Sequence, residues 1–117
     1  MRDFPEFMKN PSNAIDSKSQ SKGIEGYVSD VLDGSQMVFW ACYKNGKSSE
    51  HVHDYDEYMI VVQGKYTIIV NDEEIPVTSG QEYFIPKGLA HAGEFIAGTR
   101  TVHALGGERA KRASDTE

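Results

Sequence analysis

From Ile24 onward, short apolar and β-branched runs alternate with turn residues at close spacing, a pattern that predicts an all-β barrel or sandwich rather than strand–helix–strand units. The expected strands are Tyr27 to Leu32, Gln36 to Tyr43, the run carrying His51 and His53, Glu57 to Val62, Lys65 to Val70, Ile75 to Thr78, Tyr83 to Ile85, Ala92 to Ile96 and Arg100 to Leu105. Asp33-Gly34 and Asn45-Gly46 read as hairpin turns. The fifteen residues between Gly64 and Gly80 leave room for two short strands and no helix. At Pro86-Lys-Gly88, Pro fixes φ and Gly permits the positive φ that turns the chain toward His91. One strand stands apart: Met37 to Tyr43 is apolar at successive positions, so both of its faces are expected to be covered, one by the core and one by a partner.

The ends differ from the middle. Residues 1–22 are polar and rich in Ser, Lys and Asn, which reads as an arm, but Phe4, Phe7, Met8 and Ile15 predict that the arm docks on the barrel's own outside or on a neighbouring subunit. Residues 23–107 are expected to form the barrel, and residues 108–117 a charged tail. The chain has 117 residues, enough for one core and too few for two. A formal net charge of -6 and a pI near 5.2 argue against a nucleic-acid partner, since no basic face is available to displace counterions. A single cysteine, Cys42, excludes an internal disulfide and a cysteine-based zinc cluster, and points to a reducing compartment. With no signal-peptide core and no apolar run long enough to span a bilayer, the expectation is a cytoplasmic protein without a membrane partner.

The candidate chemistry sits in two places. His51 and His53 are one residue apart in a strand-like segment, which puts both imidazoles on one face. Glu57 keeps the same parity if the strand continues, and can swing in if the chain turns at Asp54 to Asp56. A third imidazole arrives at His91. Of four histidines in the chain, three therefore stand where a strand-built metal site needs them. Three imidazoles and a carboxylate suit one divalent transition metal (Fe, Mn, Zn, Ni, Co or Cu) over Ca or Mg. The fourth, His103, is a candidate catalytic acid/base group if Thr101, His103 and Leu105 face inward, and a surface residue if Val102 and Ala104 do. Gly46-Lys47-Ser48 is not a phosphate loop, because the Gly required five residues earlier is Ala41. Cys42, in an apolar strand, reads as a small buried hydrophobe rather than a nucleophile.

At these residues the chain resembles the cupin superfamily. Its first motif is matched by Gly46, His51, His53, Glu57 and Gly64, and its second by Gly80, Pro86, Gly88 and His91, so the resemblance covers roughly residues 46 to 95. Four residues rather than five separate Gly46 from His51, Gln81 replaces an Asp, and Phe95 replaces a closing Asn; no ligand is lost. The resemblance implies a double-stranded β-helix (jelly-roll) barrel in a single-domain cupin, with His51, His53, Glu57 and His91 as metal ligands. It further implies either a metalloenzyme, such as a dioxygenase or an isomerase or lyase acting on a small oxyacid or sugar derivative, or a non-catalytic module that binds a small molecule or metal. A homodimer is expected from the two-faced strand and the aromatic-bearing arm.

Overall fold

The computed structural model describes residues 3–15, 23–30 and 34–107. Nine strands follow in order: β1 (Ile24–Asp30), β2 (Gln36–Cys42), β3 (Gly46–His51), β4 (Glu57–Gln63), β5 (Lys65–Val70), β6 (Glu73–Thr78), β7 (Glu82–Ile85), β8 (His91–Phe95) and β9 (Thr99–Leu105). They form two antiparallel sheets, ordered β1-β2-β9-β4-β7 and β3-β8-β5-β6. Consecutive strands mostly switch from one sheet to the other, and the two sheets face each other as a jelly roll. No α-helix occurs among the described residues.

Local chemistry accounts for most of these boundaries. Asn71 and Asp72 both adopt positive φ, 51° and 63°, as a two-residue hairpin turn between β5 and β6 demands. Pro76 falls in β6, the edge of its sheet, where a missing N–H leaves no ladder bond broken on the open side. Gly88 has φ 85°, as the turn before β8 requires. The first strand lies a few residues earlier than its apolar pattern indicates, because the register is set by pairing with β2 from Ile24 opposite Cys42 to Asp30 opposite Gln36. The expected turn at Asp33 and the charged tail from residue 108 lie outside the described residues.

Alternation then decides the core. Met59 and Val61 of β4, Ile68 of β5, Val77 of β6 and Ile85 of β7 pack between the sheets, and Val28, Val38 and Leu105 fill the other end together with Ile15 from the arm. The described part of the arm makes two 3₁₀ turns, Glu6–Met8 and Pro11–Asn13, and lies on its own barrel. Ala14 bridges to Tyr27, and Ile15 is buried. Phe4, 9% exposed, sits edge-on to Phe39 with centroids 6.1 Å apart, and the Arg100 guanidinium lies 4.9 Å from the Phe4 ring. The outer face of β2, expected to meet a partner, is thus covered at Phe39 by the chain's own arm.

Beyond Phe4 the same face stays apolar. Met37, Ala104, Tyr58 and Phe84 stand opposite one another across four neighbouring strands, and Phe39, Val102 and Ile60 form the next row. Phe84 is 55% exposed. The arm contact has a measurable weight: Phe4→Ala removes a buried aromatic ring and is expected to lower the free energy of unfolding by about 2 kcal/mol. Urea denaturation measures it, and an unchanged midpoint would show that the arm contributes nothing to the fold.

Candidate metal centre

The strand β3 ends at His51, and its register with β8 places His51 directly opposite His91. A register shift between Ser48 and His51 lets the strand bend there. His53 lies two residues past the strand end, where the chain turns, and its carbonyl accepts a hydrogen bond of 2.9 Å from the Gly88 N–H. That bond ties the first histidine segment to the turn before His91. The Lys87 N–H donates to Asp56 Oδ1 at 2.8 Å and adds a second tie between the same two segments. The three rings converge, with centroids 4.3 Å apart for His51 and His91, 4.7 Å for His51 and His53, and 5.1 Å for His53 and His91.

Their hydrogen bonds fix which nitrogen faces inward. His51 Nδ1 donates to the Ser49 carbonyl at 2.8 Å, and His91 Nδ1 donates to the Leu89 carbonyl at 2.9 Å. A neutral imidazole that donates from Nδ1 carries its lone pair on Nε2, the form a metal takes. His53 Nε2 is buried and makes no hydrogen bond, although Glu57 Oε1 is 3.2 Å away. One ligand nitrogen from each ring lies within 4.8 Å of the others. An ion bound at about 2.1 Å from three nitrogens needs them about 3.0–3.6 Å apart, so the three rings would draw together on binding one. The donor set fits a first-row transition ion.

Glu57 opens β4 after the bend at Asp54 and Tyr55, and is 3% exposed. Its Oε2 accepts from His103 Nδ1 at 2.8 Å, and His103 Nε2 in turn accepts from the Thr101 hydroxyl at 2.9 Å. The parity left open by the sequence is thereby resolved: Thr101, His103 and Leu105 face inward and are buried, while Val102 and Ala104 lie on the outer face. The structure brings His51, His53 and His91 together, and places Glu57 as the link between them and His103. Glu94 is exposed on β8. Tyr55 stacks on His53 at 4.8 Å and 9°. Backbone partners such as Ser49 and Leu89 leave no trace in a motif; Thr101, two residues before His103 and of the same parity, was open to reading.

Behind the histidines lies a cavity of about 90 Å³, walled by Trp40, Met59, Ile68, Ile85 and Phe95, with His103 and Thr101 on its polar side. Two glycines make room for its aromatic walls. A Cβ on Gly46 would stand 2.7 Å from the Phe95 ring, and one on Gly93 2.3 Å from the Tyr66 oxygen. Cys42 also lines this cavity, and burial pushes its thiol up to about 12, so it stays protonated at neutral pH and is no nucleophile.

Residues 39–106 match the family model described as Cupin domain. Among solved structures, the chain is similar to an RmlC-like cupin from Shewanella frigidimarina, at 17% identity over 84% of this chain and 86% of that one, with a TM-score of 0.71. It is similar to KdgF from Halomonas sp. at 16% identity, 76% and 83% coverage and a TM-score of 0.68. Salicylate 1,2-dioxygenase from Pseudoaminobacter salicylatoxidans shares 10% identity at a TM-score of 0.68, over 75% of this chain and 27% of that protein. At such identities the likeness is one of fold. No curated protein matches the sequence.

Proposed function

The chain belongs to the cupin domain family, and from that premise we propose that it is a metal-dependent monocupin acting on a small molecule, as a dioxygenase or as an isomerase or lyase. The observation that carries this reading is the convergence of three imidazole nitrogens, two with tautomers set by backbone carbonyls and one buried without a hydrogen bond. His51, His53 and His91 would hold the ion, with Glu57 as fourth ligand. A bound first-row ion supplies Lewis-acid or oxygen-activating chemistry.

The chain's own residues do the rest. Glu57 is oriented by His103, whose Nδ1 proton faces the carboxylate, and Thr101 keeps the opposite nitrogen as an acceptor. His103 thus keeps its Nδ1 proton on the carboxylate, so its acid/base role runs through Glu57. Trp40, Met59, Ile68, Ile85 and Phe95 give the same region an apolar wall. A binding module without turnover is the alternative, and the buried Glu57–His103 pair favours the enzyme, because a site that only binds has no need of a positioned proton.

We further propose a homodimer, from the apolar outer face, and a cytoplasmic location, from the lone cysteine. No helix of the described residues is long and apolar enough to cross a membrane. The rows from Met37 to Phe84 and from Phe39 to Ile60 supply an apolar face for a second copy.

Two outcomes are expected. Replacing His51 and His53 with Ala abolishes stoichiometric metal, Glu57→Ala weakens it, and His103→Ala retains it while lowering activity or ligand affinity about 10–100-fold. Metal analysis of protein purified without chelators, followed by ligand titration, measures these; unchanged metal in the double mutant would sink the site. Sedimentation at micromolar concentration should show a dimer that Phe84→Glu converts to monomer, whereas a monomeric parent protein would refute the second copy.

A further inference from the structure

We propose that the cavity behind the histidines selects a small ligand with one metal-binding head and an apolar body, and rejects sugar-like polyols of the same length; the inference rests on the metal-site reading above and narrows its substrate class. The space is the first reason. At about 15 Å³ for each water-sized group, the cavity of about 90 Å³ holds roughly six. A head group on the ion and a body of a few carbons fill it.

The chemistry of the wall is the second reason. Met59 from one sheet and Ile68 from the other are fully buried and face the cavity together with Trp40, Ile85 and Phe95. A ligand hydroxyl set against them gives up its water and receives no partner in return. Much of the polar lining is already engaged. Both ring nitrogens of His103 are taken by Glu57 and Thr101, His51 and His91 each spend Nδ1 on a backbone carbonyl, and Ser48 Oγ accepts from the Gly93 N–H at 3.1 Å. What the structure offers a ligand is therefore a main polar anchor, at the inward Nε2 atoms and the ion they would hold, with Glu57, Ser48 and Tyr66 as the further polar residues of a lining that is otherwise apolar. The exposed Arg and Lys side chains that would draw in a second anionic group are not part of this lining among the described residues.

Trp40 is the chain's single tryptophan and lines the cavity, so its fluorescence reports occupancy without relying on turnover. Protein loaded with cobalt(II), with its content fixed by elemental analysis, is titrated with glycolate, lactate, 2-hydroxybutanoate and threonate. All four present the same α-hydroxycarboxylate head and differ only in the body. Affinity should rise roughly fourfold for each added carbon of the apolar series, and threonate should bind about tenfold or more weakly than 2-hydroxybutanoate. A flat series, or threonate binding as tightly as 2-hydroxybutanoate, with cobalt present at one ion per chain, overturns this selection and leaves the metal site standing. Failure to take up cobalt overturns both.

Discussion

A carboxylate buried inside a barrel this small constrains everything around it. Removing an ionised Glu from water costs several kcal/mol unless partners replace the lost solvation, and Glu57 is 3% exposed. Its partner is His103 at 2.8 Å, itself backed by Thr101. That line of three side chains crosses from β4 to β9, two neighbours in one sheet, and it exists only because Glu57 stands opposite Leu105 and Met59 opposite His103. Side chains alternate across a strand, so a slip of one residue would turn the imidazole outward and leave the carboxylate buried alone. The register of the central strands and the polar chemistry of the site are one constraint.

The opposite sheet contributes in a different way. Pairing of β3 with β8 puts His51 across from His91, and the bond from Gly88 to His53 holds the third imidazole against them. The three clustered histidines thus come from one sheet and its end loop, and the carboxylate with its histidine comes from the other. The site forms where the two inner faces meet. Gly46 and Gly93 serve that meeting by leaving out the Cβ atoms that the Phe95 and Tyr66 rings would strike. Phe95 stands at a position where the related motif carries a polar residue, and the cavity wall is more apolar for it.

The outside of the barrel carries a competition between two ways of covering apolar strands. Phe4 and Ile15 are buried against the chain's own sheet, which satisfies part of the two-faced strand β2 intramolecularly. The rows through Tyr58 and Phe84 lie beyond the reach of that cover. A short arm of mostly polar residues supplies a few anchors and no more, so covering one end of the face leaves Tyr58 and Phe84 at the other end exposed.

The sequence by itself determined the elements whose causes are local. Strand alternation, the turn chemistry at Pro86-Lys87-Gly88, and the pairing of His51 and His53 with a later His91 are all written in neighbouring residues; they sufficed for an all-β barrel or sandwich and for three converging histidines, and the resemblance of the two histidine motifs to cupins implied the jelly roll. The tertiary structure decided what depends on partners far along the chain. His103 has the same neighbours whichever way it faces; only pairing with β4 and β2 selects the inward parity. His53 lies beyond the strand that was expected to carry it, and is held by Gly88, thirty-five residues away. Phe4 reaches Arg100 across nearly the whole chain, and the wall of the cavity is assembled from strands of both sheets. Periodicity records which side of a strand is apolar, but which side chains then meet across the core is fixed only when the sheets close.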